Sequence, residues 1–116
     1  MSAADLKQSK KLVTALKQKL QPGPERGGLI LPGPKLVEFE NSSDKPTEGF
    51  QINLKVEDLS LLSEAIGSFH THPDCSSNLS SEDWVTFVNW PDWVHVIVGT
   101  DGLRWYTIEN GMVLNA

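Results

Sequence analysis

The chain has 116 residues, a formal net charge of −5, 39% hydrophobic residues and one cysteine. This length suits a single domain spanning 1–116, large enough to bury a core unaided, and the acidic balance argues against a nucleic-acid partner, which would call for a basic face. Cys75 alone cannot form an internal disulfide, no apolar run would span a membrane, and the N-terminus has no apolar signal stretch, so a cytoplasmic protein is expected.

Residues 3–20 are expected to form one amphipathic helix, with Leu6, Val13, Leu16 and Leu20 inward and Ser2 or Asp5 at its start. Pro22, Gly23 and Pro24 stop it. The apolar run Gly27–Leu31 reads as a buried strand, and the turn at Pro32-Gly33-Pro34 returns the chain into residues 36–40 as a hairpin. Residues 41–49 form a polar loop, and residues 50–54 alternate as a strand would. Residues 56–65 are a second helix candidate, with Leu59 and Leu62 inward.

Residues 66–72 read as a central strand, followed by a loop over 73–79. Ser80 is a good N-cap, with Asp83 three positions on in a near capping box. The helix it opens runs through Trp84, Val85, Phe87 and Val88 to Pro91. Residues 94–98 are a buried strand, and the hairpin turns at Asp101-Gly102 and Asn110-Gly111 predict an antiparallel three-stranded meander. Helices and hairpins mixed without a strict βαβ rhythm predict a mixed α+β or three-layer α/β fold. Trp84, Trp90, Trp93 and Trp105 are expected to pack, with any one of them able to line a substrate groove, and His95 to sit at the surface or the core edge.

The chemistry lies in His70-Thr71-His72-Pro73, followed by Ser80 and Asp83. Side chains two apart on a strand share a face, so both imidazoles reach one ion. Asp83, in the first turn of the next helix, can bring a carboxylate to the same point. Two imidazoles and a carboxylate suit Zn2+, with a fourth position left open, the pattern of a catalytic site. A hydrolase built this way also needs a carboxylate to take a proton from water and pass it to the leaving amine. Glu25 is the candidate, just ahead of two glycines that permit close backbone approach; Glu38, Glu40 and Glu48 compete with it. Ser80 would donate to the oxyanion formed on the scissile carbonyl, or else serve as a cap alone.

These residues resemble the JAMM (MPN+) metalloprotease family, whose signature is a glutamate upstream of His-x-His-Pro-x6-Ser-x2-Asp. His70, His72, Pro73, Ser80 and Asp83 fill every fixed position, and the stretch from Pro24 to Leu31 looks like the family's first segment. The resemblance spans roughly residues 24–100 and is nearest to small prokaryotic and phage-type members. It implies a cytidine-deaminase-like three-layer α/β/α sandwich with a central mixed sheet. It also implies a zinc (iso)peptidase acting on a protein substrate, at the flexible C-terminal tail of a ubiquitin-like or other small protein. The chain has no room for the long insertions with which eukaryotic members hold ubiquitin.

A phage tail-assembly or cell-wall-associated hydrolase of the same chemistry, and a non-catalytic binding module on the same fold, are the competing expectations. The deaminases that share the fold use a Cys-rich zinc set this chain lacks. Cys75 is either a loop thiol or a fourth ligand that would close the site, residues 75–79 are a loop that a partner could order, and the lysine-rich face of the first helix reads as solvated.

Overall fold

The computed structural model describes residues 2–116. Its helices are α1 (Ala3–Gln8), α2 (Lys10–Gln18), α3 (Leu59–Glu64) and α4 (Ser81–Asn89), with a 3-10 turn at Val56–Asp58 leading into α3. Its strands are β1 (Gly27–Leu31), β2 (Lys35–Phe39), β3 (Gly67–Thr71), β4 (Val94–Gly99), β5 (Gly102–Glu109) and β6 (Met112–Asn115). They form one six-stranded mixed sheet in the order β2-β1-β3-β4-β5-β6. Every neighbouring pair is antiparallel except β3 and β4, which run parallel and are joined through α4. The mixed α and β architecture expected from the sequence is the one observed, including the hairpin and the meander.

The sheet is covered on both faces. Val94, Val96 and Val98 of β4 point to one side and pack with Leu6, Leu12, Leu16, Ile30, Phe69 and Trp105. Ile97 points to the other side and packs with Phe87 of α4 and Tyr106. Burial of each large aliphatic or aromatic side chain contributes about 1.5–3 kcal/mol, so a strand apolar on both faces belongs at the centre.

Several expectations are corrected. The single helix over 3–20 is two helices broken at Ser9, which caps the end of α1 and whose hydroxyl accepts from the Leu12 N–H to start α2. Serine competes locally for backbone donors, and here that restarts the helix in a new phase. Leu12 is therefore buried, whereas Val13 is only partly covered. Ser2 and Asp5 form a full capping box on α1. Residues 50–54 pair with no strand. Leu59 is 56% exposed, because the 3-10 turn resets the helical phase before α3. Trp84 is 47% exposed rather than packed, whereas Trp90, although partly open to solvent, stacks on Trp93 at 4.3 Å and Trp105 is in the core, as expected. His95 is fully buried rather than at the surface. No helix among the described residues is long and apolar enough to cross a membrane.

Candidate metal centre

β3 carries His70 and delivers His72 one residue beyond its end. Gly27 of β1 lies opposite His70 in the antiparallel register, which brings the preceding Glu25 beside both imidazoles. The approach is close enough to require glycine: a Cβ at Gly27 would come within 2.7 Å of the Phe69 carbonyl oxygen and 2.8 Å of the Phe50 ring. Two bonds lock the crossing. The Thr71 N–H donates to the Arg26 carbonyl at 2.8 Å, and the Arg26 N–H donates to the Thr71 hydroxyl at 2.9 Å.

The α4 N-terminus supplies the fourth group. The Ser80 hydroxyl accepts from the Asp83 N–H at 3.2 Å, and the Asp83 carboxylate accepts from the Ser80 N–H at 2.9 Å. This reciprocal box fixes Asp83 in the first turn. Its other oxygen lies 2.9 Å from His70 Nε2, and the carboxylate also approaches His72 Nε2 at 3.3 Å. The sequence-expected residues Glu25, His70, His72 and Asp83 thus converge, with Ser80 at the helix end beside them. Glu25, 6% exposed, joins His70 and His72 in a buried trio whose ligand atoms lie within 4.8 Å of one another and could hold a metal ion.

The charges reflect this crowding. Burial raises the Glu25 carboxyl above the usual carboxylate range, although His70 and His72 pull it the other way. Burial also opposes the charge on Asp83, but the two imidazoles overcome it and hold that carboxyl far below its ordinary range. Burial alone would lower His72; the Asp83 carboxylate and the Ser76 carbonyl outweigh it and raise the imidazole. His72 Nδ1 lies 2.9 Å from the Ser76 carbonyl oxygen, which places the proton on Nδ1 and leaves the Nε2 lone pair facing the site.

The donor set fits a metal ion. His70 Nε2 is buried and, for all its closeness to Asp83, has no hydrogen-bond partner. A buried nitrogen that faces a carboxylate without hydrogen-bond geometry is poorly satisfied, and ligation would satisfy it.

Glu38, a competitor for the role of Glu25, is spent elsewhere: it pairs with Arg26 and Lys19, each at 2.8 Å. Glu40 and Glu48 are exposed. The loop after His72 is already tied down by the fold. The Cys75 N–H donates to the His72 carbonyl at 3.3 Å, the Thr100 N–H donates to the Cys75 carbonyl at 2.9 Å, and Tyr106 Oη donates to the Ser77 carbonyl at 2.8 Å. Gly99 admits the loop, since a Cβ there would lie 2.3 Å from the Ser77 nitrogen. The Cys75 thiol is free and exposed.

Two features escaped the sequence. Asn41, read only as the start of a polar loop, bonds the backbone of Glu25. His95 joins the sheet to the end of α4: its Nδ1 lies 2.6 Å from the Ser68 hydroxyl, its Nε2 lies 3.1 Å from the Trp90 carbonyl, and its ring stacks on Phe87 at 4.2 Å. A histidine inside an otherwise all-apolar run was the available signal for the second.

No protein-family model matches the chain, and no curated protein matches it. Solved structures do. A protein of Desulfitobacterium hafniense, known from its solution structure, superposes with a TM-score of 0.63 at 20% identity, covering 95% of this chain and 86% of that one. A structure described as JAMM, a metalloprotease-like zinc site in the proteasome and signalosome, superposes with a TM-score of 0.52 at 22% identity, covering 90% of this chain and 88% of that one. The fold is JAMM-like. At these identities the likeness speaks for the fold alone, and the chemistry rests on the site.

Proposed function

We propose that the chain is a zinc-dependent (iso)peptidase, with His70, His72 and Asp83 as metal ligands, Glu25 as acid–base residue and Ser80 as oxyanion donor. The observation that carries the reading is the buried His70 Nε2, which faces the Asp83 carboxylate at 2.9 Å without hydrogen-bond geometry and is grouped with His72 and Glu25 on a JAMM-like fold. Zinc, when bound, would supply Lewis acidity and make water a nucleophile near neutral pH.

The chain's own residues would do the rest. Glu25 takes a proton from the attacking water and returns it to the leaving amine as the C–N bond breaks; its burial suits a group that must hold and release a proton. The Ser80 oxygen accepts the Asp83 N–H, which leaves its hydroxyl hydrogen free for the carbonyl oxygen as charge develops there. Ser76 and the α4 cap hold His72 and Asp83 in place.

A cleft of about 200 Å³ runs from His70 and Asp83 past Leu29, Phe50, Leu62 and Trp93. It suits an extended protein segment rather than a folded surface. A flexible C-terminal tail, as on a ubiquitin-like protein, laid against residues 52–54 would find main-chain groups that the sheet does not use. We assign the enzyme to the cytoplasm, in keeping with its free, exposed Cys75.

The test is cleavage of a ubiquitin-like protein carrying a C-terminal extension, by zinc-loaded wild type and by Glu25→Gln. Cleavage by the first and loss of at least about 100-fold in kcat in the second support the reading. Equal rates in both, or none with any tailed substrate, would leave a binding module on this fold.

A further inference from the structure

We propose that Asn41 is the positioning residue for Glu25, acting through a loop clamp built by its side chain. The inference rests on the reading of Glu25 as the proton-moving carboxylate. Glu25 lies two residues before β1, outside the ladder bonds that hold the histidines. Both of its backbone groups are bonded instead to a single loop. Its N–H donates to the Pro46 carbonyl at 2.7 Å, and its carbonyl accepts from Asn41 Nδ2 at 2.9 Å.

The same Asn41 amide organises that loop from both ends. Nδ2 also reaches the Pro46 carbonyl at 3.1 Å and the Gly49 carbonyl at 2.9 Å. Oδ1 accepts from the Ser43 N–H at 3.0 Å and the Gln51 N–H at 3.3 Å. One half-buried side chain therefore bridges five backbone groups, and only an amide carries donor and acceptor at the needed positions. Residues 42–49 contribute no member of either hydrophobic core, so packing does not shape them. Bonds from Glu48 and Gly49 to the Lys45 carbonyl, and from Ser42 to the Gln51 carbonyl, shape the loop locally; Asn41 ties that loop, and the Pro46 carbonyl that receives the Glu25 N–H, to Glu25 itself.

The clamp also reaches the reaction space. Thr47 and Glu48, from the clamped loop, line a cleft together with Glu25, His72 and Ser80. A displacement of about 1 Å in a proton-moving group lowers a rate about 100-fold, so the clamp sets how well Glu25 works without touching the substrate. The metal ligands are held by β3 and the α4 cap, neither of which depends on Asn41.

Hydrogen exchange read by NMR on the full chain, in wild type, Asn41→Ala and Asn41→Asp, tests this directly. The aspartate variant keeps the two accepting bonds but has no donor for the Glu25 carbonyl. In both variants the Glu25 amide is expected to exchange at least about tenfold faster, while the Thr71 and His72 amides, bonded to Arg26 and Val98, keep their wild-type protection. Zinc content is expected to stay unchanged, with kcat falling about 10- to 100-fold and KM moving by less than about threefold. Adding Asn41→Ala to Glu25→Gln is expected to cost no further activity, because a residue acting through Glu25 has nothing left to position.

Unchanged protection at Glu25, protection lost equally at Glu25, Thr71 and His72, or losses that add in the double variant would each overturn the proposal. A wild type without peptidase activity would refute the enzyme reading alone; the exchange data would still decide whether Asn41 holds Glu25.

Discussion

Acidification singles out His95. The ring is fully buried between β3 and α4, and burial lowers its pKa from an ordinary 6.5 to about 4, with the charge of His70 adding to the effect and the Trp90 carbonyl opposing it. Between those two pH values the unfolded chain binds a proton at this position that the folded chain refuses. Stability therefore rises with pH across the window and is lost as pH falls from about 6.5 to about 4. At about 1.4 kcal/mol per pH unit, the loss is on the order of 3 kcal/mol, a large share of a small domain's stability. Asp83 and Glu38, both held below their ordinary ranges, add losses of the same sign at lower pH, so wild type alone cannot isolate the histidine. Urea unfolding of wild type and His95→Gln, both with excess chelator, from pH 7.5 down to 4, separates the two. The carboxylate losses are shared and cancel in the difference. The stability advantage of wild type over the glutamine variant is expected to shrink by roughly 3 kcal/mol across the window. A difference that stays constant with pH would refute the assignment of His95 as a buried neutral group.

Phe87 joins the same core from α4, stacked on His95 and tilted against Tyr106 and His70. Phe87→Ala is expected to cost about 3–5 kcal/mol, read as a lower midpoint in thermal or urea unfolding, and a loss under about 1 kcal/mol would contradict this packing. Ser80→Ala removes the α4 cap and should cost about 1 kcal/mol of stability. If the hydroxyl also serves the oxyanion, kcat falls by about 100-fold or more in the same variant; an unchanged kcat would leave Ser80 as a cap alone.

What could be read from the sequence followed from strong local signals. The Gly27–Leu31 run, the Asn110-Gly111 turn and the Ser80–Asp83 box each name one local structure, and the spacing from His70 to Asp83 carries through because a strand and a helix start are rigid elements. What could not be read depended on contacts between distant segments. The alternation in residues 50–54 is that of a strand, yet the Gln51 N–H and carbonyl are taken by Asn41 and Ser42. Phe50 turns to Gly27, while Ile52 and Leu54 line the cleft beside His70. Ser9 splits a periodic helix by a local bond that periodicity does not register. Glu25 was the sequence's choice from the glycines that follow it, but the ion pairs that occupy Glu38 join it to Arg26 and Lys19 on other segments and could not be read there. The tryptophans at 84 and 90 lie on the outer side of α4 or at its end, where size alone does not decide burial.

Zinc titration of the chelator-stripped chain against a chromogenic competitor tests the central claim most directly. Wild type should take up one zinc per chain, His72→Ala and Asp83→Ala should bind it at least about 100-fold more weakly, and Glu25→Gln should bind it as wild type does. No uptake by wild type would contradict the metal centre, and loss of uptake in Glu25→Gln would make Glu25 a ligand, within the buried trio it forms with His70 and His72, rather than the carrier of the proton.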